Sequence, residues 1–342
     1  MKVLIGVDPH KGSHTAVAID HDEVPLGQLR VRATRMQCEQ LLEWAEVFPE
    51  RRWAIESAGG LGYLLAQQLI AAGENVVDVP PTLSARVRVL GSGKSQKNDP
   101  NDALSTAVAA LRHRRLHAVV ADDQAVILRM LADRHHDLTR MRTQVVCRLH
   151  ALLGNLVPGG ISGALRVSNA GVMLASVRPT DGVVAERKRQ AQELLKDVRR
   201  LDSDIKDTRA RIAVAVKASK TSLTDIYGVG PIVAALVIGH AGPVGRFASR
   251  HQFASYNGSA PIEASSGPKK RHRLNPRGNR QLNHALHIAA ICQIRFDTPG
   301  RAYYLRKVEE GKTKKEAIRA LKRRLSDAVY RQLRIDAARP KS

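Results

Sequence analysis

The sequence predicts an α/β domain at the front of the chain, long coiled-coil helices in the middle and a mainly α-helical domain at the back. Three observations predict this. Short β-branched apolar runs alternate with helical spacing in the first part, an apolar 4-3 repeat runs through the middle, and helical patterns separated by Gly- and Pro-containing loops fill the last part. The expected domain boundaries are 1–118, 119–218 and 219–342.

The charge of the chain is unevenly distributed. The 342 residues include 55 Lys+Arg and 32 Asp+Glu, a formal net charge of +23. Residues 1–80 hold 7 basic and 11 acidic residues, whereas residues 240–342 hold 23 basic and 7 acidic residues. The back of the chain is therefore expected to bind a polyanion, most simply nucleic acid. The low aromatic content, 4%, argues against recognition of single strands mainly by base stacking.

The front of the chain predicts a sheet with acidic residues at the ends of its strands. Asp8 and Glu56 each directly follow an apolar strand, at the end where α/β sheets commonly place their chemistry. The expected strands are Lys2–Val7, Thr15–Ile19, Leu29–Val31, Trp53–Ile55 and Asn75–Val79, and the expected helices are Met36–Phe48 and Leu61–Ala72.

The stretch Lys97–Ala103 places two further carboxylates at the start of a helix. Asp99 is predicted to be the N-cap, Pro100 suits the first helical position, and Asp102 falls on the same face as Asp99. The two acids could serve only as helix-capping groups, or they could bind a divalent metal. Together with Asp8 and Glu56 they make four carboxylates from three elements, a set able to hold two cations for phosphoryl transfer.

The middle of the chain predicts two long helices. The second has the 4-3 spacing of a coiled-coil seam, and the pair could associate within one chain or build an oligomer. The arginines on their outward faces are interpreted equally well as a solvated surface and as a phosphate-lined arm. The two apolar series are Leu138, Met141, Val145, Leu149, Leu152 and Leu156, then Leu194, Val198, Leu201, Ile205, Thr208, Ile212 and Ala215.

The segment Leu223–Ala235 predicts a helix-hairpin-helix. Gly228 and Gly230 would let the backbone approach a phosphate closely, although a glycine-containing connection between helices is also common. Basic side chains follow in a loop and at the start of the next helix, and are expected to bind nucleic acid: Lys269, Lys270, Arg271, Arg273, Arg277 and Arg280.

The three cysteines lie far apart and form no CxxC motif, which predicts reduced thiols without a structural role. No signal peptide and no apolar run of membrane-spanning length is present in the sequence, so we expect a cytoplasmic protein with no membrane partner.

The ordered set of motifs resembles the DEDD transposases of bacterial insertion sequences, the insertion sequence 110 family. Asp8 lies in Gly-Val-Asp-Pro-His-Lys, Glu56 in Ala-Ile-Glu-Ser-Ala-Gly, and Asp99 and Asp102 in Lys-Asn-Asp-Pro-Asn-Asp-Ala. The back of the chain is similar as well, in its Gly-Val-Gly-Pro hairpin, Tyr-x-Gly-x-x-Pro, Ser-Gly and Arg-Gly-Asn-Arg-x-Leu motifs. One departure is Ser259, where the family usually has leucine.

The resemblance implies a RuvC-like front domain of the RNase H type, in which Asp8, Glu56, Asp99 and Asp102 bind Mg²⁺ or Mn²⁺. It implies a recombinase that cuts and rejoins DNA through a covalent phosphoserine. The motif match places that serine at Ser266, with Ser265 as the alternative.

The same resemblance implies the partners: donor and target DNA, a structured non-coding guide RNA (bridge RNA), and further copies of the chain as a dimer or tetramer. It implies a bacterial, nucleoid-associated location. Two competing interpretations remain open from the sequence. One is a metal-dependent, structure-specific nuclease that uses water as its nucleophile, and the other is a non-catalytic nucleic-acid-binding scaffold.

Overall fold

The computed structural model describes residues 2–92, 98–113, 116–263, 272–273 and 275–339. The chain divides into two compact units, Met1–Asp122 and Asp123–Ser342. The long helices and the C-terminal helices therefore belong to the same unit, and each unit is described by itself below.

The first unit is built on a six-stranded mixed sheet with the order β3-β2-β1-β4-β5-β6. β1, β2 and β3 form an antiparallel meander, β4 and β5 continue the sheet parallel to β1, and β6 pairs antiparallel with β5. This mixed α/β topology fits the expected RNase H-like domain. The strands are β1 Val3–Pro9, β2 Ser13–Ile19, β3 Pro25–Arg32, β4 Arg51–Glu56, β5 Val76–Val79 and β6 His117–Ala118.

Helices cover both faces of this sheet, which explains why its central strands are apolar throughout rather than alternating. One face packs against α1 and α2 around the buried Trp53, and the other packs against α3 and α4 around Val77. The helices are α1 Gln37–Ala45, α2 Tyr63–Ala71, α3 Pro81–Ser92 and α4 Asp99–Arg112. α3 was not expected from the sequence, in which Pro80-Pro81 indicated only the end of β5. Pro81 is instead the first residue of this helix, a position that proline favours.

The start of α4 differs from the prediction by one residue. Asn98, not Asp99, is the N-cap, because Asn98 has extended backbone angles and its side chain accepts a hydrogen bond from the Asn101 amide at 2.9 Å. The Asp99 carboxylate is thereby free of the capping role and takes part in the ion pairs described below.

The second unit begins with two long helices that pack against each other within the chain. They are α5 Gln124–Leu156 and α7 Gly182–Ala218, with α6 Val167–Ser176 between them. The predicted seam of α7 is buried from Val198 to Ala215. On α5 the prediction fails at Met141, which is 42% exposed. Because the seam is used inside one chain, an oligomer would need a different surface.

Apart from one short strand pair, the remaining described elements of the second unit are helical, and the helices share one core with the N-terminal part of α5 and the C-terminal part of α7. Its central helix, α8, is apolar on all sides and is packed by α5, α7 and α10. The elements are α8 Pro231–Ala241, α9 Arg250–Tyr256, the β7 Ile262–Glu263 and β8 His272–Arg273 pair, α10 Arg280–Arg295, α11 Pro299–Glu309 and α12 Lys314–Ala338.

The predicted helix-hairpin-helix is not confirmed. The element before the Gly-Val-Gly segment is a single 3₁₀ turn, Leu223–Asp225, and only the element after it, α8, is an α-helix. Among the described helices, none is both long and apolar enough to cross a membrane.

Candidate active site

Two of the predicted acids lie side by side at the edge of the sheet formed by the carboxyl ends of the central strands β1 and β4. β1 and β4 are parallel, and Val7 lies opposite Ile55 in their register. Asp8 and Glu56 are the next residues on their strands, so their carboxyl groups emerge at the same place. Asp8 is only 4% exposed, which is unusual for an aspartate and shows that its carboxylate faces the interior of the site.

The other two acids reach this edge because α4 crosses β1 at very close distance. A Cβ atom on Gly6 would lie 2.2 Å from the Ala103 carbonyl oxygen and 2.5 Å from the Ala107 amide nitrogen. Only glycine permits this approach. It brings the first turn of α4, with Asp99 and the buried Asp102, next to the end of β1.

The pKa of Glu56 is shifted by burial and by the charges of neighbouring residues. Burial raises the pKa of Glu56 above its ordinary value, and the negative charges of Asp8 and Asp102 raise it further. A hydrogen bond from Ser84 and the positive charge of Arg88 act in the opposite direction. The pKa shift therefore indicates that three of the four acids share one electrostatic environment.

Basic side chains surround the acids. Arg88 on α3 forms an ion pair with Asp102, and Arg30 Nη2 on β3 lies 3.3 Å from Asp99 Oδ2. His10 Nε2 lies 3.2 Å from Asp8 Oδ2 and 3.4 Å from Asp99 Oδ1. Asp8, Asp99 and Asp102 therefore each have a basic side chain as a neighbour.

The donor set fits a divalent cation. One oxygen of Asp8, one oxygen of Asp99 and a ring nitrogen of His10 all lie within 4.8 Å of one another. Carboxylates suit Mg²⁺ and Mn²⁺, and imidazole suits transition metals. Thr15 on β2 lies opposite Asp8 on β1. Within the described part of the chain, the buried Thr15 hydroxyl has no hydrogen-bond partner. A buried hydroxyl beside carboxylates is a natural contact for metal-bound water.

His10, Arg30 and Arg88 were not predicted as site residues. The only sequence signal for His10 was its position two residues after Asp8 in the same motif. Arg30 and Arg88 lie on elements far from Asp99 and Asp102 in sequence, so only the fold brings them to the site.

Only some of the predicted site residues of the C-terminal unit lie within the described residues. Ser265, Ser266, Lys269, Lys270 and Arg271 lie outside the described residues. Arg273 belongs to β8. Arg277 and Arg280 are exposed, and Arg280 is the first residue of α10.

The two glycines of the predicted hairpin have different surroundings. Gly228 has φ +84°, and a Cβ there would lie 2.8 Å from the Ala289 carbonyl oxygen. Close packing on α10 is therefore a sufficient reason for glycine at this position. Gly230 is the N-cap of α8 and has open space around its Cα, which leaves room for a ligand at the helix start.

Comparison with known proteins gives a consistent result. A family model described as a transposase of the DEDD, IS110 type matches residues 5–158, and a model of the transposase IS116/IS110/IS902 family matches residues 220–305. The first span contains all four predicted acids, and the second contains the Gly-Val-Gly segment.

Two relatives match nearly the whole chain. The 44.8 kDa protein of insertion element IS116 from Streptomyces clavuligerus is 27% identical, and the match covers 97% of this chain and 95% of that protein. The 42 kDa protein of insertion element IS900 from Mycobacterium paratuberculosis is 28% identical over 97% of this chain and 96% of its own.

Among solved structures, Thermus thermophilus RuvC in complex with a Holliday junction substrate matches with 16% identity and a TM-score of 0.27. That match covers 35% of this chain and all of the RuvC chain. The two family models, in the order of the chain, and the relatives matched over almost its full length show that this protein belongs to the IS116/IS110/IS902 family of transposases, enzymes that recombine DNA.

Proposed function

We propose that this chain is the transposase of an insertion sequence, which cuts and rejoins DNA through a covalent phosphoserine with the help of a divalent cation bound by Asp8, Glu56, Asp99 and Asp102. The observation that supports the proposal most strongly is the meeting of these acids, from two strands and one helix, at one edge of the sheet.

The acids and their neighbours have separable roles in this proposal. Asp8 and Asp99 offer oxygens to the cation, and His10 offers a nitrogen beside them. Arg88 and Arg30 hold Asp102 and Asp99 in position. Bound Mg²⁺ or Mn²⁺ would lower the pKa of an attacking hydroxyl and stabilise the negative charge that grows on the phosphoryl oxygens.

The serine step conserves the phosphodiester energy. The Ser266 hydroxyl oxygen, or that of Ser265, forms a bond to phosphorus while the bond from phosphorus to a sugar oxygen breaks. The sugar oxygen gains a proton as the serine loses one. A hydroxyl of another strand then attacks the phosphoserine and releases the serine, so rejoining needs no nucleotide cofactor.

The proposed partners follow the charge of the chain and the family. Residues 240–342 carry the excess of basic residues, which suits DNA and a structured guide RNA. Strand exchange requires more than one active site, so we include a homo-oligomer, a dimer or tetramer, in the proposal. A bacterial cytoplasmic, nucleoid-associated location also belongs to it.

The experiment that tests the acid site uses isosteric amide variants. In a cleavage assay with Mg²⁺, the element's RNA and its DNA ends, we expect Asp8→Asn and Asp102→Asn to lose cleavage by about 100-fold or more, a loss typical for a catalytic electrostatic group. Asp22→Asn, at an exposed turn, is the matched control and should keep full activity. Retained cleavage in both site variants, with unchanged DNA binding, would contradict the acid site.

A water-using nuclease remains the second candidate, because the acid cluster by itself meets the needs of that chemistry. It differs from the transposase in one measurable respect: it forms no covalent link between protein and DNA, and it does not require Ser266.

A further inference from the structure

The C-terminal unit contains a basic cavity, part of whose lining, Gly258 to Pro261, belongs to the Tyr-x-Gly-x-x-Pro motif. It has a volume of about 630 Å³ and lies between α9, the turn that follows it, α10, α11 and α12. Six of its lining residues are arginines or lysines, and two are carboxylates. The cations are Arg250, Lys312, Arg319, Lys322, Arg323 and Arg324.

Lys322 is the most unusual of these cations, because it is half-buried without a carboxylate partner. Its ammonium donates a hydrogen bond to Asn283 Oδ1 at 2.5 Å, and no carboxylate of the described residues lies within ion-pair distance. Burial, together with the positive charge of Arg319, lowers the pKa of Lys322 to about 8. A buried cation that is neither paired nor fully solvated lowers stability, which suggests that an anion completes its environment.

The floor of the cavity is held rigidly by amide side chains. Asn283 Nδ2 donates to the Asn257 carbonyl oxygen at 3.0 Å, and Asn257, itself fully buried, donates to Ser326 Oγ at 2.8 Å. Gly258 has φ +71°, and a Cβ there would lie 3.2 Å from Asn283 Nδ2. The donor groups at the floor are therefore fixed before any ligand arrives, which reduces the entropy lost on binding.

A second donor lies at the same floor. Ser259 Oγ is shielded from solvent, and within the described ranges of the chain no group forms a hydrogen bond with it. Buried hydroxyls are normally hydrogen-bonded.

The rim of the cavity carries exposed charge. Arg250, Arg319 and Arg324 take part in none of the ion pairs seen in the described residues, whereas Arg323 is paired with Asp327. The guanidinium of Arg324 lies 5.5 Å from the centre of the Tyr303 ring. Exposed arginines beside an aromatic face are typical of surfaces that follow a nucleic-acid backbone.

We propose that this cavity binds a backbone phosphate of a nucleic-acid strand, with the Lys322 ammonium and the Ser259 hydroxyl donating to its oxygens and the rim arginines meeting neighbouring phosphates. Pro261, which lines the cavity, directly precedes β7 in the chain. The inference rests on the proposed function only in taking nucleic acid as the ligand.

The test is equilibrium binding of the full chain to labelled duplex DNA, single-stranded DNA and an RNA hairpin over a range of salt concentrations. We expect Lys322→Met to weaken binding by about 10-fold, and to reduce the slope of log affinity against log salt by about one. Ser259→Ala should weaken binding by about threefold with an unchanged salt slope, because it removes a neutral donor. Lys315→Met, an exposed lysine at the start of the same helix, is the control and should change affinity less than twofold.

Melting temperatures of the same variants distinguish a binding role from a structural one. We expect Lys322→Met to raise the melting temperature at pH 7, since it removes a half-buried charge. If Lys322→Met does not fold, the affinities of Ser259→Ala and Arg319→Gln for nucleic acid test the proposal instead, and both variants should bind more weakly than the wild type.

Affinities within twofold of the wild type for Lys322→Met and Ser259→Ala, with equal salt slopes, would overturn the proposal. Binding of inorganic phosphate alone would also overturn the proposal. In that case phosphate would raise the melting temperature of the wild type but not of Lys322→Met, and the two proteins would bind nucleic acid with the same affinity. A loss of affinity in the variants for DNA only, or for RNA only, would support the proposal and identify which nucleic acid the cavity binds. Because no cleavage is measured, a failure of this test and a failure of the proposed acid site are distinguishable.

Discussion

At the scale of single residues, the site concentrates negative charge that the fold must balance. Asp8 and Asp102 are buried, and their charges add to burial in raising the pKa of Glu56. Ion pairs with Arg88 and Arg30 offset part of this repulsion. Such an arrangement stores unfavourable electrostatic energy that a bound cation would relieve.

Neutralising Glu56 should therefore stabilise the metal-free protein. We expect Glu56→Gln to raise the melting temperature by a few degrees at pH 7 without divalent metal, because one of the repelling charges is removed. Adding Mg²⁺ should raise the melting temperature of the wild type by more than that of the variant. Thermal unfolding followed by circular dichroism measures both effects, and equal Mg²⁺ shifts in the two proteins would count against a metal site that includes Glu56.

His14 predicts how the stability of the first unit depends on pH. Burial lowers the pKa of His14 below its ordinary value of 6.5, although a hydrogen bond with Gln37 at 2.9 Å opposes the shift. The unfolded chain therefore binds a proton more readily, and stability should fall as the pH decreases below about 6.5.

Denaturant unfolding at pH 7.5 and 5.5 measures this dependence. We expect the wild type to lose more stability between the two pH values than His14→Gln does, whereas His21→Gln, an exposed histidine, should behave like the wild type. An equal loss in the wild type and His14→Gln would show that His14 is not the group that titrates.

The sequence was sufficient to predict the elements that carry the four acids, because Asp8 and Glu56 lie at the ends of apolar strands and the other two lie in the first turn of a helix. It was insufficient for the residues that surround them. Ser84 and Arg88 lie on α3, a helix that was not predicted, and Arg30 reaches Asp99 from an edge strand. Such contacts depend on tertiary packing, which has no local signature in the sequence.

At the scale of secondary-structure elements, the crossing of α4 over β1 determines the geometry of the site. The close approach at Gly6 places the first turn of α4 against the end of β1, and Asn98 starts that helix at the residue that frees Asp99 for ion pairing. The acid cluster therefore depends on one glycine that carries no chemistry.

We expect Gly6→Ala to destabilise the protein by about 2 kcal/mol or more, because its methyl group would overlap the backbone of α4. Activity should fall even where the variant remains folded, since α4 can yield only by moving Asp99 and Asp102. Gly12→Ala is the control, because a Cβ there meets no atom within 4 Å. Equal stability of the two variants in denaturant titrations would show that the contact at Gly6 does not position α4.

Element prediction succeeded where periodicity was strong and failed where tertiary contacts decide. β1, β2, β4 and β5 and the seam of α7 follow from their apolar patterns, whereas the two-residue β6 was not predicted. The hairpin around Gly228 was expected to join two helices, yet a 3₁₀ turn precedes it and its glycine packs on α10. Glycine patterns alone do not distinguish a phosphate-binding turn from close packing of two elements.

At the scale of the whole molecule, the chain separates two tasks that a recombinase needs. The first unit carries the acid cluster, and the second carries most of the positive charge and the basic cavity. Separate units allow nucleic acid to be bound by one set of residues and reacted on by another. Both tasks are required in the proposed reaction.

In the proposed reaction, this transposase joins DNA covalently to Ser266 with the help of the acid cluster. The measurement is an assay with Mg²⁺, the element's RNA and a nicked DNA substrate that traps the intermediate, analysed on a denaturing gel. We predict a protein–DNA adduct in the wild type that is absent from Ser266→Ala and from Asp102→Ala, with Asp22→Asn as the matched control. Cleaved DNA without any adduct, and cleavage retained in Ser266→Ala, would contradict the claim and indicate a nuclease that uses water.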